Sequence, residues 1–532
     1  MVVGGGPAGV VCALLLARAG VEVTVLEKHG DFLRDFRGDT VHASTLTLLD
    51  ELGLGPSFAE VPHRLVQRVQ VLLDDGPVTM GDMSRLRGPH RHIAMVPQWD
   101  FLDLLADAGR RERTFALRMG TEAVGLLREG DRVTGVRYRT ADGATGELAA
   151  DLVVAADGRR SLVRDEAGLR ARGYGSPMDV WWFRLSRRPD ELEGATGRFG
   201  GGSGLVLIDR GDYFQVAFLI RKGTDRALRE EGVEAFRARV AALVPWLGDR
   251  VDEIASMDDV KLLDVRIDRL RRWHVDGLVC IGDAAHAMSP IGGVGINLAV
   301  QDAVAAARIV AGPLRRGALT PRVLAKVRRR RWLPTAAVQA AQRRVQDSFL
   351  APALAGGPGA TTGEVPLPVR LVRRFPALQV VPAYVVGIGL LPEHAPDFAR
   401  RAPRAHRAEL TGQRAETALV SVPRPSTVTD TVCPAVSGPT PAGVPVRITS
   451  SGRSVITDEM YSISAGMSWI SSEVRESCFT TPSTSVRIAT SDGSNEVSTH
   501  GPSGQNVSKP LARVHCPSVF WRSRAVTSLA IV

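Results

Sequence analysis

The sequence predicts an α/β protein. Its Rossmann-like domain is assembled from discontinuous pieces, with an inserted β-sheet domain, a helical C-terminal part and a disordered tail. Three observations carry this expectation. Glycine-containing segments lie at residues 3–9, 156–159 and 281–297, the last two each beginning at the end of an apolar run of strand length. Between the second and third, residues 174–222 follow the alternating grammar of a β-hairpin. Finally, Ser and Thr supply 28 of the first 420 residues but 34 of the last 112, and such a tail without sustained periodicity reads as disordered.

The first segment, Val3-Gly4-Gly5-Gly6-Pro7-Ala8-Gly9, opens an apolar helical run. Gly4 permits a tight strand-to-helix turn, Gly6 lets the backbone approach a pyrophosphate, and Gly9 lets the helix pack closely on its sheet. The phosphates would sit at a helix N-terminus, where free N–H groups and the positive dipole end favour an anion. Residues 21–27 alternate as a half-buried strand and end at Glu27, placed to accept from a ribose hydroxyl. A 2′-phosphate would meet a like charge there, so this site suits FAD or NAD better than NADP. Residues 10–19 lack the basic flank and cleavage site of a signal peptide. Only Met1, Val2 and Val3 precede the glycines, against about five residues for an ordinary strand. The expectation is either a true start upstream or a first strand that lacks its opening residues.

Further along, Arg37 is a candidate phosphate partner, residues 43–52 form an apolar-periodic helix, and Gln98 sits near the start of another. The apolar run 151–156 delivers Asp157 and Gly158 to a strand end, where open α/β sheets bind ligands. The run 277–282 delivers Gly282 and Asp283, and Asp283 is expected to bind ribityl hydroxyls. Pro290 and the glycines up to Gly295 lead into a helix with Asn297 in its first turn, whose N-terminus would stabilise negative charge on a reduced flavin ring. The order and spacing of the three segments suit one long, dianionic dinucleotide: FAD.

In the hairpin region, Phe214, Val216, Phe218 and Ile220 share one face, leaving Tyr213, Gln215 and Ala217 on the other. The mixed face makes a roof over a substrate, with Trp181, Tyr213 and Gln215 as candidate substrate residues. Core and solvent faces would give the same pattern.

Composition narrows the function classes. The net charge of +10 is dispersed, which argues against nucleic acid, and the run Arg328 to Arg331 reads as an exposed helix face. No uninterrupted apolar run reaches the roughly 18 residues of a membrane span. Residues 380–391 come nearest, but Pro382, Gly387 and Gly389 interrupt them, so a buried segment is expected. Cys12 and Cys280 lie in apolar runs and Cys433, Cys478 and Cys516 in the tail, with no metal or redox spacing. A reducing cytoplasm and no metal are the expectations. His90 and His92 read as a surface turn, and His286 as a residue that positions cofactor or loop.

These residues carry a family resemblance. Residues 1–401 resemble the p-hydroxybenzoate hydroxylase-like, single-component (class A) FAD-dependent monooxygenases: the GxGxxG segment at Gly4, Gly6 and Gly9, the DG segment at Asp157-Gly158 and the GD segment at Gly282-Asp283. The resemblance implies a β-sheet substrate domain, NADH or NADPH as electron donor without a second dinucleotide fold, and a nicotinamide role for Asp157, Gly158 and Arg159. It implies hydroxylation of an aromatic or polyketide-like small molecule by O₂ through a flavin hydroperoxide, with no catalytic dyad. Candidates to touch the chemistry are Gln215, Pro290 and Asn297.

The implied domains are 1–173 (FAD-binding, with a substrate-domain excursion near 66–95), 174–270 (β-sheet), 271–345 (FAD-binding), 346–403 (helical) and 404–532 (tail). A reductase or dehydrogenase without oxygen insertion, or an inactive flavin-binding remnant, would share the same fingerprints. The Trp-x-Trp-x-Ile-Pro signature of flavin halogenases is absent.

Overall fold

The computed structural model describes residues 1–33, 40–73, 76–200, 202–356 and 367–402. The first glycine segment emerges from the middle of a six-stranded sheet. Val2–Val3 pairs in parallel with Val23–Leu26 on one side and Val153–Ala155 on the other. Leu278–Cys280 and Phe115–Arg118 extend the sheet in parallel, and His274–Val275 closes one edge antiparallel. Alternation along these short strands sends Val2, Val154 and Val279 to one face, and Val3, Ala155 and Cys280 to the other. Helices Pro7–Arg18, Gln98–Arg110 and Val294–Arg315 cover the first face. The antiparallel meander Thr121–Glu129, Arg132–Thr140 and Thr145–Ala149 covers the second. Both faces are buried, which is why the strands read as unbroken apolar runs.

A second sheet has seven strands, in the order Lys261–Leu263, Met178–Ser186, Tyr213–Arg221, Ser203–Asp209, Ala195–Gly200, Arg68–Leu73 and Gly76–Asp82. The last two come from far upstream, and Arg68–Leu73 lies parallel to Ala195–Gly200. One face packs on helix Gly232–Leu243 through Phe214, Val216, Phe218 and Ile220. The ring of Phe236 meets Trp181, Phe183 and Phe218 edge-on at 5.1–5.2 Å, an arrangement that adds about 0.5–1.5 kcal/mol per pair to simple burial.

Trp181 therefore does not share a face with Gln215. It pairs across the strands with Phe218, is fully buried, and donates Nε1–H to Asp225 at 2.7 Å. Trp182, opposite Ala217, occupies the mixed face instead. The period of two put the right spacing on the strand, but sequence alone did not fix which of two adjacent tryptophans points which way.

Two further expectations are corrected. Residues 380–391 are not a buried segment: Val381, Tyr384 and Leu391 are 57%, 45% and 49% exposed. The Val380–Gly387 helix lies on the edge strand Gly76–Asp82 and buries only its small residues, Ala383 and Gly387. Nor is the arginine run uniformly solvated. Successive helix residues rotate by about 100°, and Arg331 turns inward to 0% exposure.

Candidate flavin site

The three glycine segments meet at the C-terminal ends of three adjacent parallel strands. Gly4 N donates to Leu26 O, Ala156 N to Val3 O and Ile281 N to Ala155 O, at 2.8–3.0 Å. Gly4 has φ +102°, and a Cβ there would lie 2.4 Å from Ala156 O. A Cβ on Gly9 would lie 1.9 Å from Gly4 O, so the helix sits directly on the strand that feeds it. At Gly6 a Cβ would meet nothing within 4 Å. Gly6 is also the N-cap of Pro7–Arg18, with no side-chain cap and no acid in the first turn. This is a small open cradle at an uncapped helix end, and it fits a pyrophosphate.

Glu27 is buried at the end of its strand and accepts from Gly5 N at 2.8 Å and His29 N at 3.1 Å. It is thus tied to the glycine turn. Asp157 caps the helix Leu162–Glu166 region by accepting from Ser161 Oγ and Val163 N. Burial pushes its carboxyl above the usual range, against the pull of those bonds. Gly158 follows with φ +84°. Arg159 spans to the third segment, donating Nε–H to Asp283 Oδ2 at 3.1 Å, with both side chains about 30% exposed. The pair joins two fingerprints distant in sequence. Gln98 is the first residue of Gln98–Arg110. Arg37 lies outside the described residues.

At the other end, Gly293 N donates to Pro290 O, and Gly292 and Gly293 lead into Val294–Arg315. Gly293 is an N-cap without a side-chain cap, and the first turn again carries no acid. A Cβ on Gly295 would touch only Met288, at 3.9 Å. The Asn297 side chain is buried, its Oδ1 accepting from Ser44 Oγ and Thr45 Oγ1 at 2.9 and 2.7 Å. It docks one helix on another.

Beneath this end lies a buried ionic network that sequence reasoning missed. Asp302 accepts from Gly282 N at 3.1 Å, from His286 Nε2 at 2.5 Å and from Arg331 Nε at 3.0 Å. Arg331 also donates to Gln301 Oε1 and Leu391 O. Asp302, Arg331 and His286 are at most 1% exposed. Burial alone would raise the Asp302 carboxyl, but His286 and Arg331 outweigh it and hold the group below the usual carboxylate range. A signal existed: Asp302 is a lone acid within the apolar helical run 296–310, where an unpaired charge is almost never buried. His286 is therefore a residue that positions the loop after Asp283.

On the mixed face of the second sheet, Gln215 is 3% exposed and its Oε1 accepts from Arg210 Nε and Nη2 at 2.8 and 2.6 Å. Arg184 lies 4.8 Å from the Tyr213 ring centroid. Ala195 and Ile208 of this sheet pack against the same buried cluster as Val386 and Ile388. Val206, Ala217 and Trp182 share a hydrophobic cluster with Ile291, just before the Val294–Arg315 helix. The mixed face thus meets the segments that flank the second helix N-terminus.

A model of the FAD binding domain family matches residues 1–341, well over half of the chain. The chain belongs to that family. It is 39% identical over 341 residues to 6-methylpretetramide 4-monooxygenase of Streptomyces rimosus, spanning 62% of this chain and 79% of that protein. Rifampicin monooxygenase of Streptomyces venezuelae is 29% identical over 329 residues, covering 57% of this chain and 62% of that enzyme. Pentachlorophenol 4-monooxygenase of Sphingobium chlorophenolicum is 25% identical, over 57% of this chain and 56% of its own length.

Among solved structures, OxyS anhydrotetracycline hydroxylase of Streptomyces rimosus superposes with a TM-score of 0.58 at 23% identity, covering 74% of this chain and 76% of that one. PqsL, a probable FAD-dependent monooxygenase of Pseudomonas aeruginosa, gives 0.57 at 21% identity, over 66% and 97%. At those identities the superpositions establish the fold. Family and relatives together place this member of the FAD binding domain family among the aromatic-hydroxylase type of flavin monooxygenases.

Proposed function

We propose that this chain uses NADH or NADPH and O₂ to hydroxylate a polycyclic, polyketide-like aromatic compound. The observation that supports the reading is the meeting of Gly4, Asp157 and Asp283 at the ends of three adjacent parallel strands, beside the open, uncapped helix N-terminus at Gly6. FAD, when bound, supplies the oxygen chemistry. The protein binds, orients and excludes water. The N–H groups at the start of Pro7–Arg18 hold the pyrophosphate, and Glu27 accepts from a ribose hydroxyl. Asp283, oriented by Arg159, takes the ribityl chain, and Gln98 and Arg37 supply further contacts. Asp157 and Gly158 shape the turn between FAD and the nicotinamide. The start of Val294–Arg315, from Pro290 through Gly295 to Asn297, lies where charge on the reduced ring would be stabilised. Gln215 and Tyr213, with Trp182 in place of Trp181, face the substrate, while Val206, Ile208, Ala217 and Val386 keep water out. The polyketide-like substrate rests on the 39% identical relative described above, whose name gives 6-methylpretetramide as its target.

The test is purification with a flavin spectrum, then NADH and NADPH consumption against a panel of polycyclic phenols, with O₂ uptake and product mass. Substrate-stimulated oxidation with one oxygen atom added to the product is expected. Nicotinamide oxidation with no oxygenated product would show a reductase instead.

A further inference from the structure

His42 is wholly buried at the N-cap of helix Ala43–Glu51. Its Nδ1 lies 2.7 Å from Val386 O. A carbonyl oxygen only accepts, so Nδ1 carries a hydrogen and, in the neutral ring, Nε2 is a bare acceptor. That Nε2 is buried without a hydrogen-bond partner. It points at the start of Val294–Arg315: a Cβ built on Gly293, the N-cap, would lie 3.5 Å from it. Buried polar atoms are normally paired, and an orphan at a ligand site calls for a reason.

The surroundings limit what that reason can be. Thr40 approaches from strand Thr40–Val41, its hydroxyl donating to Gly293 O at 3.0 Å. Gly293 comes from the long helix and Val386 from Val380–Gly387. Burial holds the imidazole below its ordinary range, opposed only by backbone carbonyls at Val386 and Gly293. No charged group contributes among the described residues; the nearest charges along the long helix are Asp302 with Arg331, more than two turns on. Among the described residues, nothing negative faces the ring. A negative charge arriving at this helix end would reverse that balance.

We infer that His42 is a positioning residue that takes up a proton when the flavin is reduced, becoming a two-armed clamp between Val386 O and Gly293 O. This rests on the reduced ring lying at the start of Val294–Arg315, as proposed above. The balance is two electrons and one proton from the donor to the flavin, leaving it a monoanion, and a second proton from solvent to His42 Nε2. In a two-electron couple each such proton adds about 30 mV per pH unit to the slope of the midpoint potential.

The conservative probe is His42→Asn, whose side-chain amide replaces Nδ1–H as donor to Val386 O but has nothing at the position of Nε2. The full-length holoprotein would be titrated with dithionite from pH 6 to 9, following flavin absorbance. Wild type is expected to fall by about 60 mV per pH unit over part of this range, and His42→Asn by about 30 mV throughout, with equal FAD occupancy. A wild-type slope of about 30 mV, or an unchanged slope in His42→Asn, overturns the inference. If His42→Asn cannot hold FAD, the wild-type slope alone decides. A wild-type protein that takes up no FAD overturns the functional reading as well.

Discussion

The two ends of the candidate flavin site are built by different means. At the proposed pyrophosphate end, the turn from Val3 to Gly9 is shaped mainly by backbone, with Glu27 as its one side-chain tie described above: a positive φ at Gly4, a helix resting on Gly4 O, and open space at Gly6. At the proposed ring end, the approach to Val294–Arg315 is held by side chains from three distant stretches: His42 with Ser44 and Thr45, Arg331, and Glu393. Backbone-built geometry tolerates no added atom. Side-chain-built geometry tolerates no lost partner.

The largest expected effect breaks the ring end. Arg331→Ala leaves Asp302 buried with one fewer cation, and removing one partner of a buried pair costs about 3–5 kcal/mol. Chemical denaturation should show that loss, and Arg331→Met with Asp302→Leu should recover part of it. Asp302 has a folded-state pKa held below its unfolded value, so its contribution is present above about pH 4 and is lost as the pH falls through the lower, folded value. The gap between wild type and Arg331→Ala should accordingly narrow in acid. A gap independent of pH would mean that Asp302 is not ionised in the fold.

At the pyrophosphate end, Gly9→Ala forces a methyl group into Gly4 O. A stability loss of about 1–3 kcal/mol is expected, accompanied by loss of FAD after desalting. An alanine variant that kept its flavin would show that the glycine turn is looser than it appears in the fold. Smaller again, Glu27→Ala and Asp283→Ala should each weaken FAD by roughly tenfold to a hundredfold, from about 1.5–3 kcal/mol per bond to a charged group. Wild-type occupancy in both after dialysis would move the cofactor elsewhere. Smallest for stability is Gln215→Ala, which should change the rate or coupling with substrate and leave the flavin spectrum intact. Trp181→Ala is its contrast: it should destabilise by about 3–5 kcal/mol without a specific effect on substrate.

The same division governs what the sequence made legible. Glycines that must be glycines, acids at strand ends and the hairpin's alternation are local, so the strand ends carrying Gly4, Asp157 and Asp283 and the faces of Tyr213–Arg221 could be read directly. Arg331 could not, because its partner Asp302 lies 29 residues away and its neighbours Arg328 to Arg330 suggested a solvated face. Asn297 was expected in the first turn of its helix as a candidate to touch the chemistry, and its Oδ1 is engaged by Ser44 and Thr45, partners no local pattern reveals. Trp181 and Trp182 differ by a rotation that only packing on Phe236 resolves. Tail residues and Arg37 fall outside the described residues.

The seven-stranded sheet has a consequence for how the chain reaches this state. Arg68–Leu73 and Gly76–Asp82 complete a sheet whose other strands come after residue 177, while the central Val2–Val3 strand pairs with residues 153–155. The chain thus leaves one sheet for the other and returns, twice. Neither sheet can close before the other has drawn in its strands, and closing such long loops is slow. During synthesis the first sheet must wait, with an unpaired strand edge exposed, until more than half of residues 1–402 have emerged. Cutting the chain between the sheets should yield two insoluble halves in place of two domains.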